Sequence, residues 1–473
     1  MKLIKEALTF NDVLLVPKKS GIRSRKDVDT KTRFSRNLSL AIPIVSANMD
    51  TVTESRMARF MAEMGGIGVV HRFLSIEQQA DEVRIVKRAE NVVIDDPLAV
   101  APTFPIFEVE RIMRDRCVSG MPVIDGARKV VGIITRRDML FAQSKRGVVA
   151  DIMTKKVITA PRRTTPSQAK KILFQYRIEK LPLVDNQGVL RGLITLKDLL
   201  REELPSSASK DRRGRLMVGA AVGVKEETID RARALLDAGA DVLILDIAHG
   251  HNTRALEMIK ILKKKFPGVE IVGGNVATAS GAADLIKAGA DAIKIGVGPG
   301  AACTTRIVTG VGVPQLTAIM EAAGVCKKNN IPCIGDGGIQ SSGDLAKALA
   351  AGADTVMIGS LLAGCDEAPG EYILEDGVGH KLYRGMASRD AGEAKMQLDG
   401  SFADGAYRAP EGKSGKVPYR GNGKKLVDEL ISGLRSSMSY LGAKSILEFQ
   451  KNAEFIRITQ AGLKESHSHD MRL

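Results

Sequence analysis

Short apolar runs followed by amphipathic stretches recur along most of this chain. Ile42-Pro-Ile-Val-Ser46, Ile67-Gly-Val-Val70, Met217-Val-Gly-Ala-Ala-Val222, Ile271-Val-Gly-Gly274 and Pro332-Cys-Ile-Gly335 are apolar without strict alternation. Such runs predict strands buried on both faces, as in a parallel sheet with helical crossovers. Three further stretches share one pattern: Ala238-Gly-Ala-Asp-Val-Leu-Ile-Leu-Asp246, Ala288-Gly-Ala-Asp-Ala-Ile-Lys-Ile-Gly296 and Ala351-Gly-Ala-Asp-Thr-Val-Met-Ile-Gly359. In each, a helix ends at Ala-Gly, where glycine relieves the left-handed cap, and Asp opens the next strand. About eight such strands predict an α/β fold, a (β/α)8 TIM barrel. An open doubly wound sheet is the alternative, but glycine-rich strand ends recur too often for one switch point.

The pattern breaks between residues 91 and 204. There Ser119-Gly-Met-Pro-Val-Ile-Asp125 leads to Val131-Gly-Ile-Ile-Thr-Arg-Arg-Asp138, and Lys180-Leu-Pro-Leu-Val-Asp185 leads to Arg191-Gly-Leu-Ile-Thr-Leu-Lys-Asp198. Each half reads helix, strand, turn, strand, helix, as two copies of one small unit would. The polar stretch Ser206-Ser-Ala-Ser-Lys-Asp-Arg-Arg213 suits a hinge. Three divisions follow: a first part of the barrel over 1–90, an inserted pair over 91–204, and the rest of the barrel over 205–473. Within the last, residues 383–421 are rich in Gly, Ser, Asp and Lys with little periodicity, which predicts a mobile lid.

Composition narrows the function. With 473 residues and 44% hydrophobic content the chain reads as globular. No run approaches the ~18 apolar residues of a membrane span. The start, Met1-Lys-Leu-Ile-Lys-Glu, lacks a signal-peptide core, so a cytoplasmic location is expected. Five cysteines, at 117, 303, 326, 333 and 365, form an odd set without transition-metal spacing and suit a reducing compartment. The net charge of +15 calls for an anionic partner. Lys and Arg are dispersed, however, and tryptophan is absent, which favours phosphate-bearing small molecules over nucleic acid.

One thiol stands out. Cys303 lies in Gly296-Val-Gly-Pro-Gly-Ala-Ala-Cys-Thr-Thr-Arg306, directly after an apolar strand. A free cysteine is usually a small buried residue. A Gly/Pro loop that presents it among hydroxyls and an arginine points instead to a nucleophile.

At these residues the chain resembles the IMP dehydrogenase/GMP reductase family, and the insertion resembles a pair of CBS motifs. The resemblance rests on Ser46-Ala-Asn-Met-Asp-Thr-Val52, Asp246-Ile-Ala-His-Gly250, Gly273-Gly-Asn-Val-Ala-Thr278, the Cys303 loop, Gly335-Asp-Gly-Gly-Ile339, Ile358-Gly-Ser360, Tyr383-Arg-Gly-Met386 and the tail Glu465-Ser-His-Ser-His-Asp470. It implies a cysteine that attacks C2 of a purine monophosphate and a hydride passed between C2 and a nicotinamide, from NADPH or to NAD. Dehydrogenases of the family carry an Arg-Tyr pair in the flap that activates water. Here that position reads Asp399-Gly400, which cannot replace a guanidinium and a phenol. Ala406-Tyr-Arg-Ala-Pro-Glu-Gly-Lys413 and Ala47-Asn-Met-Asp50 resemble the reductase versions. The insertion and the tail are commoner in dehydrogenases. GMP reductase is the favoured expectation, and IMP dehydrogenase with Arg408 or Arg389 as a displaced base is the alternative. A nucleotide sensor without turnover is a third.

The resemblance assigns roles by position. Cys303, Thr305 and Glu411 are the catalytic set, where Thr305 as a helix cap and Glu411 as a surface carboxylate are the bland alternatives. Ser46, Asn48, Met49, Tyr383, Gly385, Met386, Ala387, Ser388 and Arg408 are expected around the base. Asp336 is expected on the ribose, with Gly338, Gly359, Ser360 and the loop at Ala301 on the phosphate; the family has Ser at 301. Asp246, His249, Gly296 and Gly298 are expected on the nicotinamide side, though His249 equally suits a loop histidine. The carbonyls of Gly298, Gly300 and Cys303 are candidate ligands of a monovalent cation such as K⁺. In the insertion, Thr135, Asp138, Thr195 and Asp198 are expected to hold regulatory ATP or GTP. Thr-x-x-Asp is also a helix-capping pattern. A homo-oligomer, tetramer or octamer, is expected.

Overall fold

The structure is a computed structural model that describes residues 5–89, 93–94, 97–115, 118–140, 147–196, 199, 207–399 and 409–466. It forms two compact units, one of residues 1–89 with 207–473 and one of residues 90–206.

The larger unit is built on eight parallel strands: β1 (Ile44–Ser46), β2 (Ile67–Val70), β3 (Val218–Val222), β4 (Val242–Leu245), β5 (Glu270–Val276), β6 (Ala292–Ile295), β7 (Cys333–Asp336) and β8 (Thr355–Ile358). They follow chain order round a ring. Pairing of Val356 with Ile44 and of Ile358 with Ser46 joins β8 to β1. That closure makes the sheet a TIM barrel and disposes of the open doubly wound alternative. Strands β2, β4 and β8 are buried at every position, as uninterrupted apolar runs require.

The Ala-Gly-Ala-Asp stretches have a second purpose that local pattern did not reveal. Gly239, Gly289 and Gly352 take positive φ (102°, 107° and 113°) where their helices stop. The aspartate two residues on then exchanges two hydrogen bonds with the start of the preceding strand. Asp241 donates its N–H to Val218 O and accepts from Val218 N at 2.8 Å. Asp291 does the same with Ile271, accepting at 3.0 Å, and Asp354 with Cys333, accepting at 2.8 Å. Each carboxylate thus satisfies a strand-end N–H that would otherwise be buried without a partner.

The smaller unit repeats one hairpin. Gly120–Ile124 pairs antiparallel with Val130–Thr135, and Lys180–Val184 with Leu190–Thr195. Both hairpins shift register at the same place, Val123/Ile124 and Leu183/Val184. The halves are joined reciprocally, Val130 N donating to Gly188 O and Leu190 N to Arg128 O.

Residues 383–421, expected as a mobile lid, carry regular structure where they are described. Among the described residues, Val378–Arg384 pairs with Ser414–Pro418, and a helix spans Arg389–Asp399. Ser-Gly-Lys-Val-Pro carries no alternation because its strand is the edge of a three-stranded sheet and is exposed along most of its length, with no buried face to select apolar residues. No described helix is long and apolar enough to cross a membrane.

Candidate active site

Beyond β6 the chain turns at Gly296 and Gly298, with φ of 148° and 88°. A Cβ on Gly296 would lie 2.2 Å from the Asp336 carbonyl oxygen. Gly296→Ala is therefore expected to cost at least about 2 kcal/mol, read as a lowered Tm. A variant melting with the parent would contradict this contact.

Cys303 follows on the same loop, held against a second segment. Cys303 and Gly412 form an isolated antiparallel bridge. Thr304 N donates to Glu411 O at 2.9 Å, and Lys413 N to Ala302 O at 2.9 Å. Glu411 N donates to Ala387 O at 3.1 Å, and Gly385 N to Lys413 O at 3.0 Å. These backbone bonds bring the Cys303 and Thr305 side chains to Glu411, 106 positions beyond Thr305 in sequence. The Cys303 thiol donates to Thr305 Oγ1 at 3.2 Å, and Thr305 Oγ1 donates to Glu411 Oε2 at 2.8 Å. The result is a proton path from sulfur to carboxylate through one hydroxyl. Arg306 braces the loop, Nε donating to Val297 O at 3.3 Å and Nη2 to Val313 O at 2.6 Å. Burial lowers the pKa of its guanidinium, and the charge of Cys303 opposes that shift.

The other described cysteines, Cys326, Cys333 and Cys365, are buried, whereas Cys303 is partly open. Burial pushes the Cys365 thiol up to about 12. A hydrogen bond with Cys326 and burial raise Cys333 well above the ordinary thiol range. Cys303 is the described thiol fit to react.

Asp336 ends β7 close by. Its Oδ2 accepts from Lys294 Nζ at 2.6 Å and from Asn275 Nδ2 at 2.9 Å. Tyr383 is buried beside it. Burial raises the phenol well above its usual range, and the charges of Asp336 and Cys303 push the same way. The phenol therefore stays a neutral donor, and it reaches Met49 Sδ at 3.7 Å. Arg384 grips Asp50 through two donors on Oδ2, and Asp50 N donates to Met386 Sδ at 3.4 Å. This pair fastens the Asn48–Asp50 turn to the end of the Val378–Arg384 strand.

Several expected residues turn out to serve the scaffold as well. Ser46 is fully buried and its hydroxyl accepts from Thr53 at 2.9 Å, while Asn48 is almost fully buried. Ser388 accepts from Ala391 N at 3.3 Å, capping the helix that follows. Gly338, at φ 83°, and Gly359 with Ser360 stand beyond β7 and β8. Gly359 is next to Tyr383, whose phenol oxygen would be 3.1 Å from an added Cβ. Asp246 directly follows β4 and accepts from Arg72 Nε at 2.8 Å. His249 is exposed, with its ring 6.3 Å from that of His251. Ala301 is exposed, and Gly300 O accepts from Cys303 N at 3.0 Å. In the smaller unit Thr135 and Asp138 bind each other: Oγ1 donates to Oδ2 at 2.6 Å, and Asp138 N returns a bond at 3.4 Å. They form the helix cap that their spacing also allowed. Thr195 ends its strand. Asp198, Gly400, Arg408 and the tail beyond residue 466 lie outside the described residues. Among the described residues no cluster of His, Cys, Asp and Glu has the makings of a metal site.

The family model for the IMP dehydrogenase / GMP reductase domain matches residues 7–469. The chain belongs to this family. Inosine-5'-monophosphate dehydrogenase of Aquifex aeolicus (strain VF5) is 51% identical, covering 100% of this chain and 97% of that relative. The Nitrosopumilus maritimus (strain SCM1) protein of the same name is 50% identical over 99% of each. Among solved structures, GMP reductase C318A from Trypanosoma brucei in complex with guanosine 5'-monophosphate superposes with a TM-score of 0.94, at 44% identity and 99% coverage of both chains. As a member of the IMP dehydrogenase/GMP reductase family, this chain is an oxidoreductase of purine metabolism that works with a nicotinamide cofactor.

Sequence reasoning gave no role to four residues that the structure bonds to Asp336, Asp246 or Asp50: Lys294, Asn275, Arg72 and Arg384. Lys294 left a signal, a lone charge inside the apolar run Ala292–Ile295. Asn275 and Arg384 lie inside quoted motifs without a role given to them, Arg72 lies in the loop after β2, and only the folded chain shows what they bind.

Proposed function

We propose that the chain is a GMP reductase, converting GMP and NADPH to IMP, ammonia and NADP⁺. The observation that carries this reading is the Cys303–Thr305–Glu411 path, with distances of 3.2 and 2.8 Å. Sγ bonds to C2 of guanine and the C2–N bond breaks. The thiol proton passes along Thr305 and Glu411 to the amine, which leaves as ammonia. A bound reduced nicotinamide would supply hydride to C2; as the C–S bond breaks, the sulfur takes up one proton from solvent and the thiol is restored. Hydrolysis, the dehydrogenase route, needs a base to activate water, and the family's place for it holds Asp399-Gly400.

Around that chemistry, Asp336 offers its carboxylate to the ribose, and the Gly338, Gly359 and Ser360 backbone surrounds the phosphate. Asp246 fits a nicotinamide ribose, since the described residues engage only its Oδ2. The carbonyls of Gly298, Gly300 and Cys303 suit a monovalent cation, which would share Gly300 O with the turn that carries the thiol. The smaller unit is read as a CBS pair regulated by purine nucleotides, in a cytoplasmic homo-oligomer.

The 51% identity to a dehydrogenase favours a second reading, IMP oxidation with a displaced arginine base. Steady-state assays on one preparation separate the two. GMP-dependent NADPH oxidation is expected to exceed IMP-dependent NADH formation. Robust NADH formation from IMP without GMP-dependent NADPH loss would reverse the assignment.

A further inference from the structure

Lys294 sits in the middle of β6 with 4% of its side chain exposed. An ammonium inside an apolar barrel is tolerated only when paired and hydrogen-bonded. Its Nζ donates to Asp336 Oδ2 at 2.6 Å and also to Asn275 Oδ1. Asn275 donates through Nδ2 to the same Asp336 oxygen at 2.9 Å and to Gly296 O at 2.8 Å. One carboxylate oxygen thus gathers side chains from β5, β6 and β7. The described residues place no donor on the other oxygen, Oδ1, and 21% of the Asp336 side chain remains exposed.

We propose that Lys294 is a positioning residue that pins Asp336 through Oδ2, leaves Oδ1 as the oxygen for the ribose hydroxyls, and so sets the preference for ribonucleotides over 2′-deoxyribonucleotides. The inference rests on the reading of Asp336 as the ribose contact. An Asp side chain free to rotate loses part of any bond it makes to ordering entropy, whereas one already fixed does not. The ammonium also supplies countercharge within the same cluster, so the ribose hydroxyls meet a carboxylate already compensated on its far side. Lys294 touches none of Cys303, Thr305 and Glu411 through the bonds it makes, so its removal acts on binding rather than on the proton path.

The test compares GMP with 2′-deoxy-GMP, by calorimetric Kd and by kcat and KM, on the full chain. The parent is expected to favour GMP by about tenfold or more, the usual worth of a hydrogen bond to a charged group. Asp336→Asn is expected to lose most of that preference. Lys294→Met is expected to lose it as well, through weaker binding of GMP, with binding of 2′-deoxy-GMP little changed and kcat kept within a few-fold. Lys294→Gln, one atom shorter and polar without the charge, carries the same comparison if the Met variant folds poorly. Lys294 variants that retain the parent preference while Asp336→Asn loses it would overturn the inference. If Asp336→Asn itself retains the preference, the ribose reading falls first.

Discussion

Cys303→Ala is expected to abolish turnover, lowering kcat at least about a thousandfold, because no other described thiol can form the bond to C2. The physical case rests on contrast within one chain. Cys326, Cys333 and Cys365 are buried, and burial helps to hold the last two well above the thiolate range. Cys303 alone among the described thiols is partly open, in a loop braced by a guanidinium and next to a hydroxyl that leads to a carboxylate. The substitution removes one sulfur from a partly exposed position, so the melting temperature is expected to stay near that of the parent. Two measurements check it. Incubation with GMP should yield a nucleotide adduct at Cys303 by mass spectrometry in the parent and none in the variant. Alkylation of the parent at Cys303 should be blocked by GMP. Turnover that survives in Cys303→Ala would remove the covalent route altogether.

The barrel was legible because burial on both faces writes itself into sequence. A strand such as Val242–Leu245 has no polar position to confuse the reading, and the Ala-Gly stop before it marks where the helix ends. What stayed hidden was the partner of each polar residue. Asp241, Asp291 and Asp354 look like turn residues, yet each accepts from a strand 20 to 23 positions upstream. Lys294 and Asp336 are 42 apart, and Asp50 and Arg384 are 334 apart. Separations of that size carry no periodic signal, since only the folding of distant segments onto one another makes these residues neighbours. The thiol stood out from its own Gly/Pro loop, whereas Thr305 and Glu411 were assigned through family resemblance, which supplies the fold that spacing cannot. Thr135 and Asp138 show the reverse case: their three-residue spacing is local, and the cap it suggests is present, with Asp138 N donating to Thr135 Oγ1 at 3.4 Å.

Glu411→Gln separates the proton path from the scaffold that carries it. The backbone of residue 411 holds the loop by itself, its N–H donating to Ala387 O and its carbonyl accepting from Thr304 N. Neither bond needs the carboxylate, so the fold is expected to survive with a near-parental Tm. The amide oxygen of Gln can still accept from Thr305, but the side chain can no longer take up a proton and pass it on. The loss should therefore fall on the step in which the amine departs, lowering kcat for GMP reduction by about a hundredfold to ten-thousandfold, the usual worth of a positioned acid or base. The KM for GMP is expected to change far less, because Glu411 bonds to Thr305 rather than to a residue assigned to binding. Thr305→Val, which breaks the middle of the same path, should show the same pattern. The two losses should not add in the double variant, since one path can be cut only once. A Glu411→Gln enzyme that keeps the parental kcat, or losses that sum fully in the double variant, would show that the proton leaves the sulfur by another way.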